Sequence, residues 1–315
     1  MKKQVLITGG AGFIASHLCE VLLSDGNRVV CVDNLSRGSK NNISKMLTNE
    51  RFKFIDGDVC SEIVVRKLEG EKFDQIYHMA SPASVDYVVE HPVEAADVNS
   101  IGTKKMLELA RRLDAKMLFA SSSEAYGDPH EHPQKESYWG NVNPVGIRSG
   151  YDEGKRFGEA LCMAYHREYK VDTKIVRIFN TYGPHSGPQD SRIIPRFITQ
   201  ALKGEPITIH GDGLQTRSFC YVSDLVGGIV KMMESEEVGP INLGNSEELS
   251  VIDVAYIIIE KTKSKSKIKF TERLEDDPFK RKPDVGLARE KLNWGPTVSF
   301  DQGLDATIEY FKTIV

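Results

Sequence analysis

The chain has 315 residues, 40% of them hydrophobic and 27% charged, and a formal net charge of −4. This is the make-up of a soluble globule that holds one large domain or two intimate ones, and it gives no reason to expect nucleic acid or an acidic membrane as partner. Five scattered cysteines without a C-x-x-C pair fit reduced thiols; no run is apolar enough to span a bilayer, and the first, Val5-Leu6-Ile7, is too short for a secretion signal, so the expected location is the cytoplasm.

In chain order, Val5–Ile7 reads as a strand and Ile14–Leu23 as an amphipathic helix. Between them, Gly10-x-Gly12-x-x-Ala15 forms a glycine-rich turn between strand and helix, the context that makes this short motif informative. Glycine permits close backbone approach, and the helix start offers free N–H groups and a positive dipole end to a pyrophosphate. Asp33, eighteen residues after Ala15, ends the next strand, Val29–Val32. A carboxylate there binds an adenosine ribose diol and repels a 2′-phosphate, which favours NAD, although the nearby Arg37 offers a site for NADP. After the strand Phe52–Ile55, Asp58-Val59 is placed to border the adenine, or Asp58 is a turn residue. The cofactor contacts expected along this half are Gly9, Gly12, Phe13 and Ile14; Asp33, Asn34, Asp58 and Val59; and Ala80, Ser81 and Asn99.

Strands at Ile76–His78 and Met117–Ala120 flank a helical stretch, Val93–Leu113. His78 reads as a residue capping a strand beside the cofactor. Tyr151–Tyr169 is the next long helix, followed by the strand Thr173–Ile178. Alternating strands and helices predict an α/β fold, a Rossmann-type doubly wound parallel sheet. From Tyr182 the texture changes. Gly-Pro loops separate short strands (Ile207–His210, Ser218–Tyr221, Ile241–Leu243, Ile268–Phe270) from helices at Ile193–Leu202, Asp224–Met233, Val251–Thr262 and Leu304–Phe311. This predicts a smaller C-terminal α+β lobe, with 1–181 as the NAD-binding domain and 182–315 mainly for substrate, the chain being free to cross between them.

Tyr151-Asp152-Glu153-Gly154-Lys155 carries the chemistry. Tyr and Lys four apart share a helix face, and this is the one Tyr-x3-Lys among 11 tyrosines. An ammonium beside a phenol favours the phenolate, a proton acceptor for a hydroxyl being oxidised. With a dinucleotide as hydride acceptor, the two motifs describe redox chemistry on an alcohol. No Cys/His/carboxylate cluster has metal spacing.

With these residues placed, the chain resembles the extended short-chain dehydrogenase/reductases that act on nucleotide sugars, and among them the UDP-glucuronate decarboxylase family. Ser122-Ser123-Glu124-Ala125-Tyr126-Gly127-Asp128-Pro129 is similar to that family's T-S-E-V-Y-G-D-P. Tyr151-Asp152-Glu153-Gly154-Lys155-Arg156, Arg177-Ile178-Phe179-Asn180-Thr181-Tyr182-Gly183-Pro184, Gly211-Asp212-Gly213-x-Gln215-Thr216-Arg217, and Asp276-Asp277-Pro278-x-Lys280-Arg281-Lys282-Pro283-Asp284 follow in order. The resemblance covers essentially the whole chain. It departs at Ala15, where a third glycine is usual, and at His185, which stands for an Arg in a loop expected on the substrate side.

The resemblance implies oxidation at C4 of a nucleotide sugar, loss of CO2 from the resulting β-keto acid, protonation at C5 and return of hydride, with NAD regenerated in each turnover. It implies Tyr151 as base, Lys155 as its partner and nicotinamide-ribose contact, and Ser122 or Ser123 as donor to the C4 oxygen. It places Glu124 and Arg281 near the substrate carboxylate and C5, and Asn180, Arg192 and Arg217 at the diphosphate or the uridine ribose. It implies a homodimer through Val98–Leu113 and Tyr151–Tyr169, to which Met106, Leu107, Leu109, Phe157, Leu161 and Met163 would contribute. The alternative activities are a 4-epimerase, a 4,6-dehydratase or a 4-dehydrogenase, and, from another class, a non-catalytic NAD-binding regulator.

Overall fold

The computed structural model describes residues 2–273 and 278–315. Asp276 and Asp277 of the last matching motif therefore lie outside the described residues.

Seven parallel strands form the central sheet. In spatial order they are Ile241–Leu243, Thr173–Ile178, Lys116–Ser122, Gln75–His78, Gln4–Thr8, Arg28–Asp33 and Phe52–Asp56. The inner strands are short, rich in Val, Ile and Leu, and buried along nearly their whole length, as strands covered by helices on both faces must be. On one face Leu18, Leu22, Val29, Val176, Leu225 and Ile229 pack together; on the other, Leu6, Val30, Ile76, Met106, Met117 and Phe119 do. Each such fully buried side chain contributes about 1.5–3 kcal/mol. The direction of strand addition reverses between Gln4–Thr8 and Gln75–His78, and a crevice opens there at the strand C-termini.

Several expectations change. Ile241–Leu243, expected in the smaller lobe, pairs in parallel with Thr173–Ile178 as the edge of the central sheet. Val222–Glu234 packs on the same face as the first helix, Phe13–Ser24, so the chain returns to the large lobe. Apolar edge-strand and helix residues cannot be assigned to a lobe from local pattern alone. The expected strand Ser218–Tyr221 is two strands. Thr216–Ser218 pairs antiparallel with Glu248–Ser250, and Cys220–Tyr221 pairs parallel with Thr181–Tyr182. Lys280–Arg281 joins Thr216–Ser218 from the other side and sets Arg281 opposite Arg217.

The helical stretch expected over Val93–Leu113 starts at Pro92 and contains a π-helical turn, Val98–Gly102, before Thr103–Leu113. Met106, Leu107 and Leu109 on it are fully buried in the core rather than available to a partner, while Phe157 on Ser149–Tyr169 is 52% exposed. Among the described residues no helix is long and apolar enough to cross a membrane.

Candidate active site

A cavity of about 530 Å³ runs along the sheet's C-terminal edge and under the smaller lobe. Gly9, Gly12, Phe13, Ile14, Asp33, Asn34, Asp58, Val59, Ala80 and Ser81 line one end; Ser122, Ser123, Glu124, Tyr151, Lys155, Asn180, Arg192, Arg217 and Arg281 line the rest. Asn99 is the exception. It is fully buried in the π-helical turn, does not line the cavity, and donates through Nδ2 to Ala95 O at 2.8 Å. Gly154 presses against it, since a Cβ there would come within 2.9 Å of Asn99 Cβ.

The glycine turn has the form a dinucleotide needs. Gly9 has φ +69°, and a Cβ on it would lie 2.7 Å from Ala80 Cα, so only glycine fits where the two strand ends meet. The helix Phe13–Ser24 opens at Gly12 with no side-chain cap, leaving its first N–H groups to the cavity. Asp33 takes Ala11 N on Oδ2 at 3.0 Å and Leu35 N on Oδ1 at 2.8 Å. Burial raises its pKa against those two N–H groups. The carboxylate thus braces the turn and still has lone pairs for a ribose diol. Arg37, the alternative phosphate site, lies over the Tyr87 ring at 5.3 Å. Asp58 accepts Cys60 N at 2.7 Å and Asn34 Nδ2 at 3.3 Å, so it is a turn residue that also borders the cavity. These residues fit NAD. His78 is buried between Thr8 Oγ1 (2.8 Å) and Thr103 Oγ1 (3.2 Å); burial takes its pKa down to about 3, so it is a neutral cross-link.

Tyr151 and Lys155 share the cavity-facing side of Ser149–Tyr169. Lys155 Nζ donates to Ala120 O at 2.7 Å and lies 5.6 Å from the Tyr151 ring centre. Burial lowers the ammonium to about 7. The expected lowering of the phenol is not found in this geometry. Burial pushes Tyr151 up to about 12, with a hydrogen bond to Ser122 acting against it and the Glu124 charge adding to it. An ammonium that has itself lost solvation and is spent on a carbonyl does little for the phenolate. Ser122 also accepts Glu124 N at 3.2 Å, capping the 3₁₀ turn Ser123–Tyr126. Ser122, not Ser123, is therefore the hydroxyl beside Tyr151.

Glu124 is gripped by two guanidinium groups on the same oxygen. Arg148 Nη2 reaches Oε2 at 2.7 Å and Arg281 Nη2 at 3.2 Å. Burial works to raise the carboxyl pKa, but Arg148, then Arg281 and Arg217, hold it below the usual range. Arg281 is 2% exposed and also donates to Ser123 O and, at 3.0 Å, to Gly127 O. Nothing in the sequence marked Arg148, which sits at the entry to the Tyr151 helix and resembles any surface Arg until the turn folds over Glu124.

On the substrate side, Arg217 Nη2 donates to Pro278 O at 2.7 Å and Nη1 to Thr216 O at 2.8 Å. Arg192 lines the cavity, is paired with Asp190 through Nε at 2.9 Å, and lies over the Phe13 ring at 5.3 Å. Asn180 leads into Thr181–Tyr182, its carbonyl accepting Cys220 N at 2.9 Å. His185 is not on the sugar side. Its ring stacks on His17 at 4.3 Å and its Nδ1 lies 2.9 Å from Ser16 Oγ, both on the first helix. The departure from the family pattern at 185 therefore belongs to the cofactor end.

A family model described as GDP-mannose 4,6-dehydratase matches residues 6–307. UDP-glucuronic acid decarboxylase 4 of Arabidopsis thaliana is 48% identical over 309 residues, 98% of this chain and 68% of the relative. UDP-glucuronic acid decarboxylase 1 of Xenopus tropicalis is 46% identical over 311 residues, 99% of this chain and 72% of the relative. Among solved structures, UDP-glucuronic acid 4-epimerase of Bacillus cereus in complex with UDP-glucuronic acid and NAD superposes with a TM-score of 0.89 at 30% identity, covering 99% of this chain and all of that one.

Proposed function

The chain belongs to the GDP-mannose 4,6-dehydratase family of extended short-chain dehydrogenase/reductases, and on that premise we propose that it is an NAD-dependent UDP-glucuronate decarboxylase forming UDP-xylose. The observation that carries this reading is the Glu124 carboxylate held ionised between Arg148 and Arg281, in the wall that also carries Tyr151 and Ser122. Oxidation at C4 alone needs no such charged group.

NAD, held by Gly9, Gly12 and Asp33, would supply the hydride acceptor and donor for C4. Tyr151 receives the proton of the 4-hydroxyl, and Ser122 donates to the oxygen as it becomes a carbonyl. Lys155, fixed on Ala120 O beside the Tyr151 ring, holds the nicotinamide ribose. A 4-keto group turns the C5 carboxylate into that of a β-keto acid. The C5–carboxyl bond breaks, CO2 leaves, and the electron pair stays as an enolate that takes one proton at C5. Arg281 orients the departing carboxylate and Glu124 the water that protonates C5. Asn180, Arg192 and Arg217 take the diphosphate and uridine end.

In this reading 1–181 is the NAD-binding unit and 182–315 mainly serves the nucleotide sugar. The protein is a homodimer through the 98–113 and 149–169 helices, a reading supported by the exposed Phe157. Five free cysteines agree with the cytoplasm. Incubation with UDP-glucuronate tests the function. CO2 with UDP-xylose supports it; C4 inversion with the carboxylate retained, or stoichiometric NADH, replaces it with an epimerase or a dehydrogenase.

A further inference from the structure

Arg281 is carried by a strap, residues 280–284, that has little regular structure of its own. Gln134, fully buried, holds that strap on both sides of Pro283. Its N donates to Lys282 O at 2.8 Å, its Oε1 accepts Lys282 N at 2.8 Å, and its carbonyl accepts Asp284 N at 2.8 Å. Its Nε2 in turn is fixed on Glu131 O at 2.6 Å. Beneath it Asn242 donates through Nδ2 to Gln134 O at 3.0 Å and Asp284 O at 3.1 Å, and accepts Tyr126 OH on Oδ1 at 2.8 Å. Tyr126 ends the 3₁₀ turn that begins at Ser123 and contains Glu124. One connected set of hydrogen bonds thus ties the turn bearing Glu124 to the strap bearing Arg281.

We propose that Gln134 is a positioning residue for the uronate carboxylate: by clamping Lys282 it fixes the Arg281 guanidinium against Glu124. This inference rests on the decarboxylase reading. The Lys282 N–H next to Arg281 has no alternative partner within the clamp once the Gln134 amide is removed, so the strap must shift to satisfy it. Arg217 lies opposite Arg281 but is also held by Thr216 O and Pro278 O, so the shift should be felt chiefly by the substrate carboxylate.

UDP-glucuronate and UDP-xylose differ only in that carboxylate, so their affinities separate the effects. In NAD-loaded protein, Gln134→Met should weaken UDP-glucuronate about tenfold relative to UDP-xylose, the equivalent of one lost buried hydrogen bond. The CO2-release rate should fall with it while NAD content stays unchanged. Gln134→Glu, which keeps an acceptor for Lys282 N, should restore most of the affinity difference. On an Arg281→Ala background Gln134→Met should add nothing, as for two residues acting through one group. Equal weakening of both nucleotides, or an additive loss on the Arg281→Ala background, would overturn the inference. A wild-type protein that releases no CO2 removes the functional reading instead, and the binding comparison still decides the role of Gln134.

Discussion

Arg281 Nη2 lies 3.2 Å from Glu124 Oε2 across 157 positions, and Arg148, 24 positions away, reaches the same oxygen at 2.7 Å. Two positive groups on one carboxylate oxygen favour its ionised form although it is mostly shielded from solvent, because removing either leaves a poorly solvated charge short of compensation. The arrangement ties the turn after Lys116–Ser122, the entry to the Tyr151 helix and the smaller lobe into one wall of the cavity.

Arg148→Ala should therefore raise the Glu124 pKa, because it removes the opposite charge that does most to hold the carboxyl down. Glu124 is needed ionised in the proposed chemistry. The acid limb of the CO2-release profile should move to higher pH with it, so activity is lost at a pH where the wild type is still active. An unmoved acid limb would separate Glu124 from the rate.

Tyr151→Phe should lower C4 oxidation by ~10²–10⁴ while keeping the ring and its packing against Val88 and Ala95. NADH formation in a single turnover measures the first, and nucleotide released on denaturation measures cofactor retention. That nucleotide should be NAD rather than NADP, because a carboxylate at Asp33 would repel a 2′-phosphate.

Lys155 gives a stability signature with a definite sign. Burial lowers the folded-state pKa to about 7 from 10.5. Between those values the unfolded chain holds a proton that the folded chain has released, so this group makes stability rise with pH across that window. In nucleotide-stripped protein, Lys155→Met should be more stable than wild type below pH 7. The difference should shrink as pH rises toward 10.5. Urea unfolding at several pH values measures it; a difference independent of pH would contradict a depressed Lys155.

Phe157 is half exposed on the helix that also carries Tyr151. Phe157→Glu should convert a dimer into a monomer of 35.2 kDa, read by light scattering at micromolar concentration. A wild-type monomer would refute the dimer, and a variant that still dimerises would move the interface elsewhere.

The fold and the cofactor end were legible because their signals are local. Glycine placement at Gly9 and Gly12, the Asp33 carboxylate at the end of Arg28–Asp33 and the Tyr151–Lys155 spacing each sit within a few residues of the backbone they require. The Glu124–Arg281 pair spans 157 positions and was reachable only through the family resemblance. Arg148 carries no local signal. Gln134 and Asn242 meet across 108 positions, and their role exists only once the strap is folded over the turn. Asn99 was misplaced because a π-helical turn rotates it into the core, and His185 because its loop folds back onto the first helix rather than over the sugar. Lys155 was expected to act as a free charge, but its burial and its bond to Ala120 O redirect it.

The most direct measurement is the reaction of the purified protein with UDP-glucuronate in D2O, followed by NMR. The account predicts one CO2 per UDP-xylose, a single deuterium at C5 from solvent, and no net NADH. A product that keeps its carboxylate and is inverted at C4, or UDP-xylose without deuterium at C5, would contradict it.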